Sequence, residues 1–154
     1  ESDQLICLTD LFATMTDLLG QKALENGAED SVSFLPALYG KKIVSTRKGV
    51  IHHSISGHFS YRQGPWKLLL AKASGGWTSP NERQAPAGSP PGQLYNMSTD
   101  LGEKKNLYKE KPEMVASLLA LLEKDIKRGR STKGPRSKND INGIKIWKSG
   151  QPKK

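Results

Sequence analysis

Val50-Ile51-His52-His53-Ser54-Ile55-Ser56-Gly57-His58-Phe59-Ser60-Tyr61-Arg62-Gln63-Gly64-Pro65-Trp66-Lys67-Leu68-Leu69-Leu70, read with Gln93-Leu94-Tyr95-Asn96-Met97-Ser98-Thr99-Asp100-Leu101-Gly102-Glu103-Lys104-Lys105-Asn106-Leu107, decides the fold. Phe59, Tyr61 and Arg62 fall in a short alternating segment, and Gln63-Gly64-Pro65 has the composition of a turn. Trp66-Lys67-Leu68-Leu69-Leu70 follows as a second strand rich in apolar residues. Leu94-Tyr95-Asn96-Met97 reads as another short strand, closed by the turn-prone Thr99-Asp100-Leu101-Gly102. The expected structure is a small antiparallel sheet.

Toward the C-terminus, Pro112 occupies the first-turn position that proline tolerates in a helix. Met114, Val115, Leu118, Leu119, Leu121 and Leu122 give that helix a buried face. Lys124, Lys127 and Arg128 suit its C-terminal end, and Gly129 stops it. From residue 130 the chain is rich in Gly, Pro, Lys and Ser, with one apolar patch at Ile141-Asn142-Gly143-Ile144-Lys145-Ile146-Trp147 that reads as a candidate final strand.

Toward the N-terminus, Ser2 or Asp3 caps an expected helix over about residues 3–19, with Gly20 as its stop. Leu5, Leu8, Phe12, Met15 and Leu19 form one stripe, widened by Leu11 and Leu18. A helix this apolar needs cover on more than one side. Residues 29–40 read as a loop and a short helical turn with Phe34, Leu35 and Leu38 facing inward, and 41–49 as a polar connection. Residues 73–92 form a long loop, because Gly75-Gly76, Pro80, Pro86, Pro90-Pro91 and Gly92 oppose regular structure. Loops of that length are functional or disordered more often than neutral.

The 154 residues allow one domain with a modest core, and a hydrophobic share of 35% with mean hydropathy of −0.59 leaves part of the chain unpacked. The formal charge is +9, of which residues 123–154 carry +8. The body is nearly neutral and the excess belongs to the tail. Cys7 is the single cysteine, so no internal disulfide is available. No apolar run is long enough to cross a bilayer, and the acidic, polar start does not resemble a signal peptide. A chain that begins at Glu1 reads as a fragment or processed product.

A strand ending in Arg62 with a Gly-containing turn, then Trp66-Lys67-Leu68, a loop, Leu94-Tyr95-Asn96 and Asp100-x-Gly102-Glu103-x-x-Asn106-Leu107 together resemble the C-terminal part of the sulfatase family. The resemblance covers about residues 5–129 and is strongest over 58–107. It implies an α+β fold: a small antiparallel sheet with a C-terminal helix, preceded by a helix of an α/β, alkaline-phosphatase-like catalytic domain. Residues 1–49 would then close the catalytic domain, 50–129 form the C-terminal subdomain, and 130–154 a basic, mostly irregular tail. The remainder of the catalytic domain and a sulfate-ester substrate become the implied partners. Export, a periplasm or a lysosome is the implied location.

Sulfatases make a formylglycine from the Cys or Ser of Cys/Ser-x-Pro-x-Arg, and hold calcium with clustered Asp and Asn. Cys7-Leu8-Thr9-Asp10 lacks the Pro and Arg, no Ser satisfies the pattern, and no Asp-Asp pair or Asp-Asn-Gly occurs. Cys7 is expected to be a buried helix residue. Formylglycine and calcium are thus implied for a full-length parent, and this chain alone is expected to be inactive.

His52, His53 and His58 are candidates for the substrate cleft, since imidazole titrates near neutrality and binds anions or shuttles protons. The alternative is a strand end with one histidine satisfied in packing. Adjacent strand residues point to opposite faces, so His52 and His53 do not both enter one pocket, and no carboxylate joins the histidines at metal-ligand spacing. Trp77 is the fourth candidate: it could stack on a sugar, with Asn81, Glu82 and Arg83 fixing orientation, or simply cover the sheet. Trp66 and Tyr95 read as core, and Asp100, Glu103 and Asn106 as turn and cap residues. Lys124, Lys127, Arg128, Arg130, Lys133 and Arg136 could contact phosphates, but only Trp147 offers stacking there and no nucleic-acid module signature is present. The competing class is a free-standing α+β module whose basic tail binds polyanions.

Overall fold

The computed structural model describes residues 2–22, 24, 26–43 and 47–148. The elements are α1 (Asp10–Leu18), α2 (Leu35–Leu38), β1 (Val50–His53), β2 (Phe59–Gln63), β3 (Trp66–Leu69), β4 (Gln93–Asn96) and α3 (Pro112–Arg128). The sheet order is β1-β2-β3-β4, with β2–β3 and β3–β4 antiparallel. This is the expected α+β arrangement. Compactness divides the chain into residues 1–50 with 123–140, and residues 51–122 with 141–154.

In the sheet unit the register aligns Tyr61 with Leu68 and Leu68 with Leu94, and all three are fully buried. Strand side chains alternate faces, so this row defines the apolar face. Val115, Leu118 and Leu122 of α3 recur at helical spacing and are buried too. Each such side chain contributes roughly 1.5–3 kcal/mol. The Asp100 carboxylate caps its turn by accepting the amides of Lys104 and Lys105. Asn106 joins that turn to β4: its Oδ1 accepts the amides of Leu94 (3.0 Å) and Tyr108 (2.9 Å). Its Nδ2 donates to the Gly92 carbonyl. Gly92 itself is required, because a Cβ there would lie 2.7 Å from the Tyr108 ring and 2.9 Å from the Leu69 carbonyl oxygen.

The other unit is held by polar groups. The Asp10 carboxylate accepts the amides of Cys7 (2.8 Å) and Val32 (2.9 Å) and pairs with Arg47 through both guanidinium nitrogens at 2.6 and 2.9 Å. The two side chains are only 1% and 4% exposed. Burial pushes the Asp10 carboxyl up, but Arg47 and the two amides outweigh it and hold it below the ordinary carboxylate value. Thr14 Oγ1 donates to the Asp10 carbonyl and accepts from the Phe34 amide. These bonds start the helix at Asp10, not near residue 3. Cys7 consequently precedes the helix and is only partly buried, with its thiol 2.9 Å from Thr9 Oγ1.

Leu38 also departs from expectation, being exposed, while Phe34 and Leu35 are half-buried. Residues 141–147 form no strand, although Trp147 is buried. Described residues beyond Gly129 are irregular yet not loose: Arg130, Ser131 and Thr132 are buried. The Ser131 amide donates to Asp30 Oδ1 (2.7 Å), and Thr132 Oγ1 to the Glu29 carbonyl (2.6 Å). Gly129 permits this turn with φ of +69°; a Cβ there would meet the Ser137 carbonyl oxygen at 2.5 Å.

Candidate functional site

The sheet face opposite Tyr61, Leu68 and Leu94 is polar. Its rows are Ser60–Leu69–Gln93 and Arg62–Lys67–Tyr95. They line an open cavity of about 820 Å³, whose wall also includes His52, His53, His58, Lys72, Thr78, Ser79, Pro80 and Glu103. All of these residues lie within the sheet unit. Three permanent cations, Arg62, Lys67 and Lys72, face one carboxylate, Glu103.

Most polar groups on this face are already engaged. Lys67 Nζ pairs with Glu103 Oε1 at 2.5 Å. Tyr95 donates its hydroxyl to Gln93 Oε1 at 2.5 Å, and Gln93 Nε2 donates to the carbonyls of Ala71 and Ala73. Burial, then the charges of Glu103 and Asp100, raises the Tyr95 hydroxyl above its ordinary value, so it stays a donor at neutral pH. In the two strand rows two groups stand apart, and on the wall beyond them the Lys72 ammonium also has no ion pair among the described residues. The Ser60 hydroxyl is buried without a hydrogen-bond partner, a state that costs about 1–3 kcal/mol. Arg62 reaches only the Gly64 carbonyl, at 3.5 Å, and has no carboxylate partner among the described residues.

All three histidines line this cavity, His52 and His53 together, which corrects the expectation that the two could not share one pocket; they reach it by different routes. His58 is buried, with Nδ1 3.2 Å from the Leu70 carbonyl, so its ring is fixed by packing. His53 is exposed and meets Phe59 edge-on at 4.0 Å between ring centroids. Partial desolvation of its ring against Phe59, then the charge of Lys148, lowers its pKa, which favours the neutral ring. His52 also lines the wall.

Trp77 is 86% exposed, which removes the reading in which it covers the sheet. It precedes Thr78, Ser79 and Pro80 of the cavity wall. The Glu82 carboxylate holds the loop by accepting the amides of Lys72, Ala73 and Gly75 at 2.9–3.2 Å. Asn81 Oδ1 accepts from Arg83 and Gln84. Glu82 and Asn81 therefore shape the loop instead of reaching a ligand. Trp66 is half-buried, with Lys111 Nζ 5.9 Å from its ring centroid, and Tyr95 is buried as expected, on the side of the sheet that lines the cavity. Period-two parity from Tyr61 to Arg62 and from Lys67 to Leu68 was the signal for Ser60, Arg62, Lys67, Gln93 and Tyr95, which the sequence reading does not single out as a site.

The described residues do not fit calcium or formylglycine. Among the described residues no three His, Cys, Asp or Glu side chains converge for a metal ion. Asp10 is consumed by Arg47, and the Cys7 thiol lies within the same network, 3.6 Å from Arg47 Nη1.

No family model matches the chain. A curated relative, the N-acetylgalactosamine-6-O-sulfatase of Bacteroides thetaiotaomicron, is 34% identical over 120 residues, which are 74% of this chain and 22% of the relative. This chain thus spans about a fifth of that protein's length. A solved chain described with the metabolism of multiple glycosaminoglycans by B. thetaiotaomicron aligns with TM-score 0.58 and 30% identity. The alignment covers 75% of this chain and 24% of that one. A 2-O GAG sulfatase aligns with TM-score 0.54 and 26% identity over 77% of this chain and 24% of its own. Sequence and fold are therefore shared with sulfatases over about three quarters of this chain, and this chain belongs to the sulfatase family, corresponding to its C-terminal part.

Proposed function

We propose that the chain supplies one wall of the substrate cleft of a sulfate-ester hydrolase and completes its fold. The observation that carries this reading is the cavity over the polar sheet face, where cations outnumber carboxylates three to one. Such a wall attracts an anionic ester and orients it. Trp77, exposed beside the cavity wall, stacks on a sugar ring, and neutral His53 exchanges hydrogen bonds with it. The relatives named for N-acetylgalactosamine-6-O-sulfate and for GAG chemistry point to a sulfated carbohydrate. Sulfur chemistry, with its formylglycine and calcium, is assigned to residues outside this chain, so the chain alone is inactive.

Helix α1 supports the same reading. Leu11, Phe12, Met15 and Leu18 are 44–52% exposed, and Leu8 and Leu19 more so. The remainder of the catalytic domain covers this stripe. Of the six basic side chains that the polyanion-tail alternative would use, Arg128 and Arg130 donate to the carbonyls of Thr132, Gly134 and Pro135.

The experiment reads the DNA upstream of the Glu1 codon and assays the encoded longer protein on 6-sulfated N-acetylgalactosamine. An in-frame extension with Cys/Ser-x-Pro-x-Arg and hydrolysis by that protein is the expected result. A stop codon immediately upstream, or an extended protein without sulfate-ester hydrolysis, contradicts the proposal.

A further inference from the structure

We propose that Arg62 binds a second oxyanion of the substrate, a carboxylate or an additional sulfate beyond the ester that is cleaved. The cleft then selects polyanionic saccharides over singly charged esters. This rests on the cleft reading above and adds the substrate class.

Register places Arg62 directly opposite Lys67 on the neighbouring strand. Like charges so placed repel, and an anion between them or beside them relieves the repulsion. Glu103 neutralises Lys67, and Gln93 and Tyr95 satisfy each other. Arg62 is left with a single long contact to a backbone carbonyl. Ser60, two residues earlier on the same face and about 7 Å along the strand, contributes a buried hydroxyl without a partner at the cavity wall. A guanidinium fork matches two oxygens of a carboxylate or sulfate, which a point charge does not. The unmet bonding capacity of these strand rows is therefore a cation with a neighbouring hydroxyl, with Lys72 a second cation on the wall beyond them, and its complement is an oxyanion.

The test compares wild type and Arg62→Gln in the upstream-extended protein. The probes are an aryl sulfate, a 6-sulfated N-acetylgalactosamine–uronate disaccharide, its carboxyl-reduced counterpart, and the reduced disaccharide carrying a second sulfate. The ratio of kcat/KM for doubly over singly charged probes should fall roughly 10- to 100-fold in Arg62→Gln, the worth of a charge-assisted hydrogen bond. The probe whose advantage collapses names the carboxylate or the sulfate as the source. A ratio within about twofold of wild type overturns the proposal; if Tm falls as well, Arg62 pairs with a protein carboxylate instead. Should wild type hydrolyse none of the probes, the sulfatase reading fails by itself. Calorimetric titration of the disaccharides against the 154-residue chain then decides: binding that needs the second anion and is lost in Arg62→Gln sustains the proposal, and absence of such binding overturns it.

Discussion

The sheet unit seals Tyr61, Leu68 and Leu94 and turns Arg62 and Lys67 to the cavity, whereas α1 seals Asp10 and Thr14 and leaves Phe12, Met15 and Leu18 in solvent. The first arrangement follows from period-two alternation, and it buries its own apolar row. The second is the reverse of an ordinary amphipathic helix. Polar anchors, Asp10 with Arg47 and Thr14 with the Phe34 amide, fix its inner face, and its apolar face lies in solvent. Burial is thus satisfied within the sheet unit and only half satisfied at α1, which is why the two regions should respond differently to substitution.

Arg47→Met should give the largest effect. It strands a buried carboxylate, and breaking one partner of such a pair costs about 3–5 kcal/mol. Loss of hydrogen-exchange protection at the Val32 and Phe34 amides measures it. Because folding lowers the Asp10 pKa from 3.8, the stability it confers is complete above that value and fades as pH falls toward the folded pKa. Acid melting in that window should flatten in Arg47→Met; an unchanged acid profile would mean the pair contributes nothing.

Leu68→Ala should cost about 2–5 kcal/mol in urea unfolding, whereas Phe12→Ser in the same 154-residue chain should change stability by no more than about 0.5 kcal/mol. Comparable losses would erase the contrast between the two regions. Asn106→Ala removes the acceptor for two amides and should cost about 1–3 kcal/mol, read as faster exchange at Leu94 and Tyr108. Lys105→Ala, which breaks the exposed pair with Glu110, should stay within about 0.5 kcal/mol in the same unfolding assay.

What was legible in the sequence had local causes. The turn residues around Gly64-Pro65, proline at the start of α3 and Gly129 at its end placed the sheet and closing helix. Long-range bonds hid the rest. The start of α1 is set by Arg47, 37 residues from Asp10, while the apolar spacing at Leu5 and Leu8 argues for a longer helix. The burial of Ser131 and Thr132 depends on Glu29 and Asp30, over a hundred residues away. At the site, the histidines and Trp77 stood out by residue type. Ser60 and Arg62 did not, because their relevance comes from which neighbours lack partners, a fact of pairing and register.

The most direct measurement places a single thiol on the exposed stripe, as Met15→Cys in a Cys7→Ser background. Its rate of reaction with a soluble thiol reagent is then compared between the 154-residue chain and the same chain with its upstream coding sequence. Reaction should be fast in the short chain and slower by on the order of 100-fold in the longer protein, where only transient opening would expose the site. Equal rates would show that nothing upstream covers α1, and would contradict the account of this chain as the closing part of a larger sulfatase.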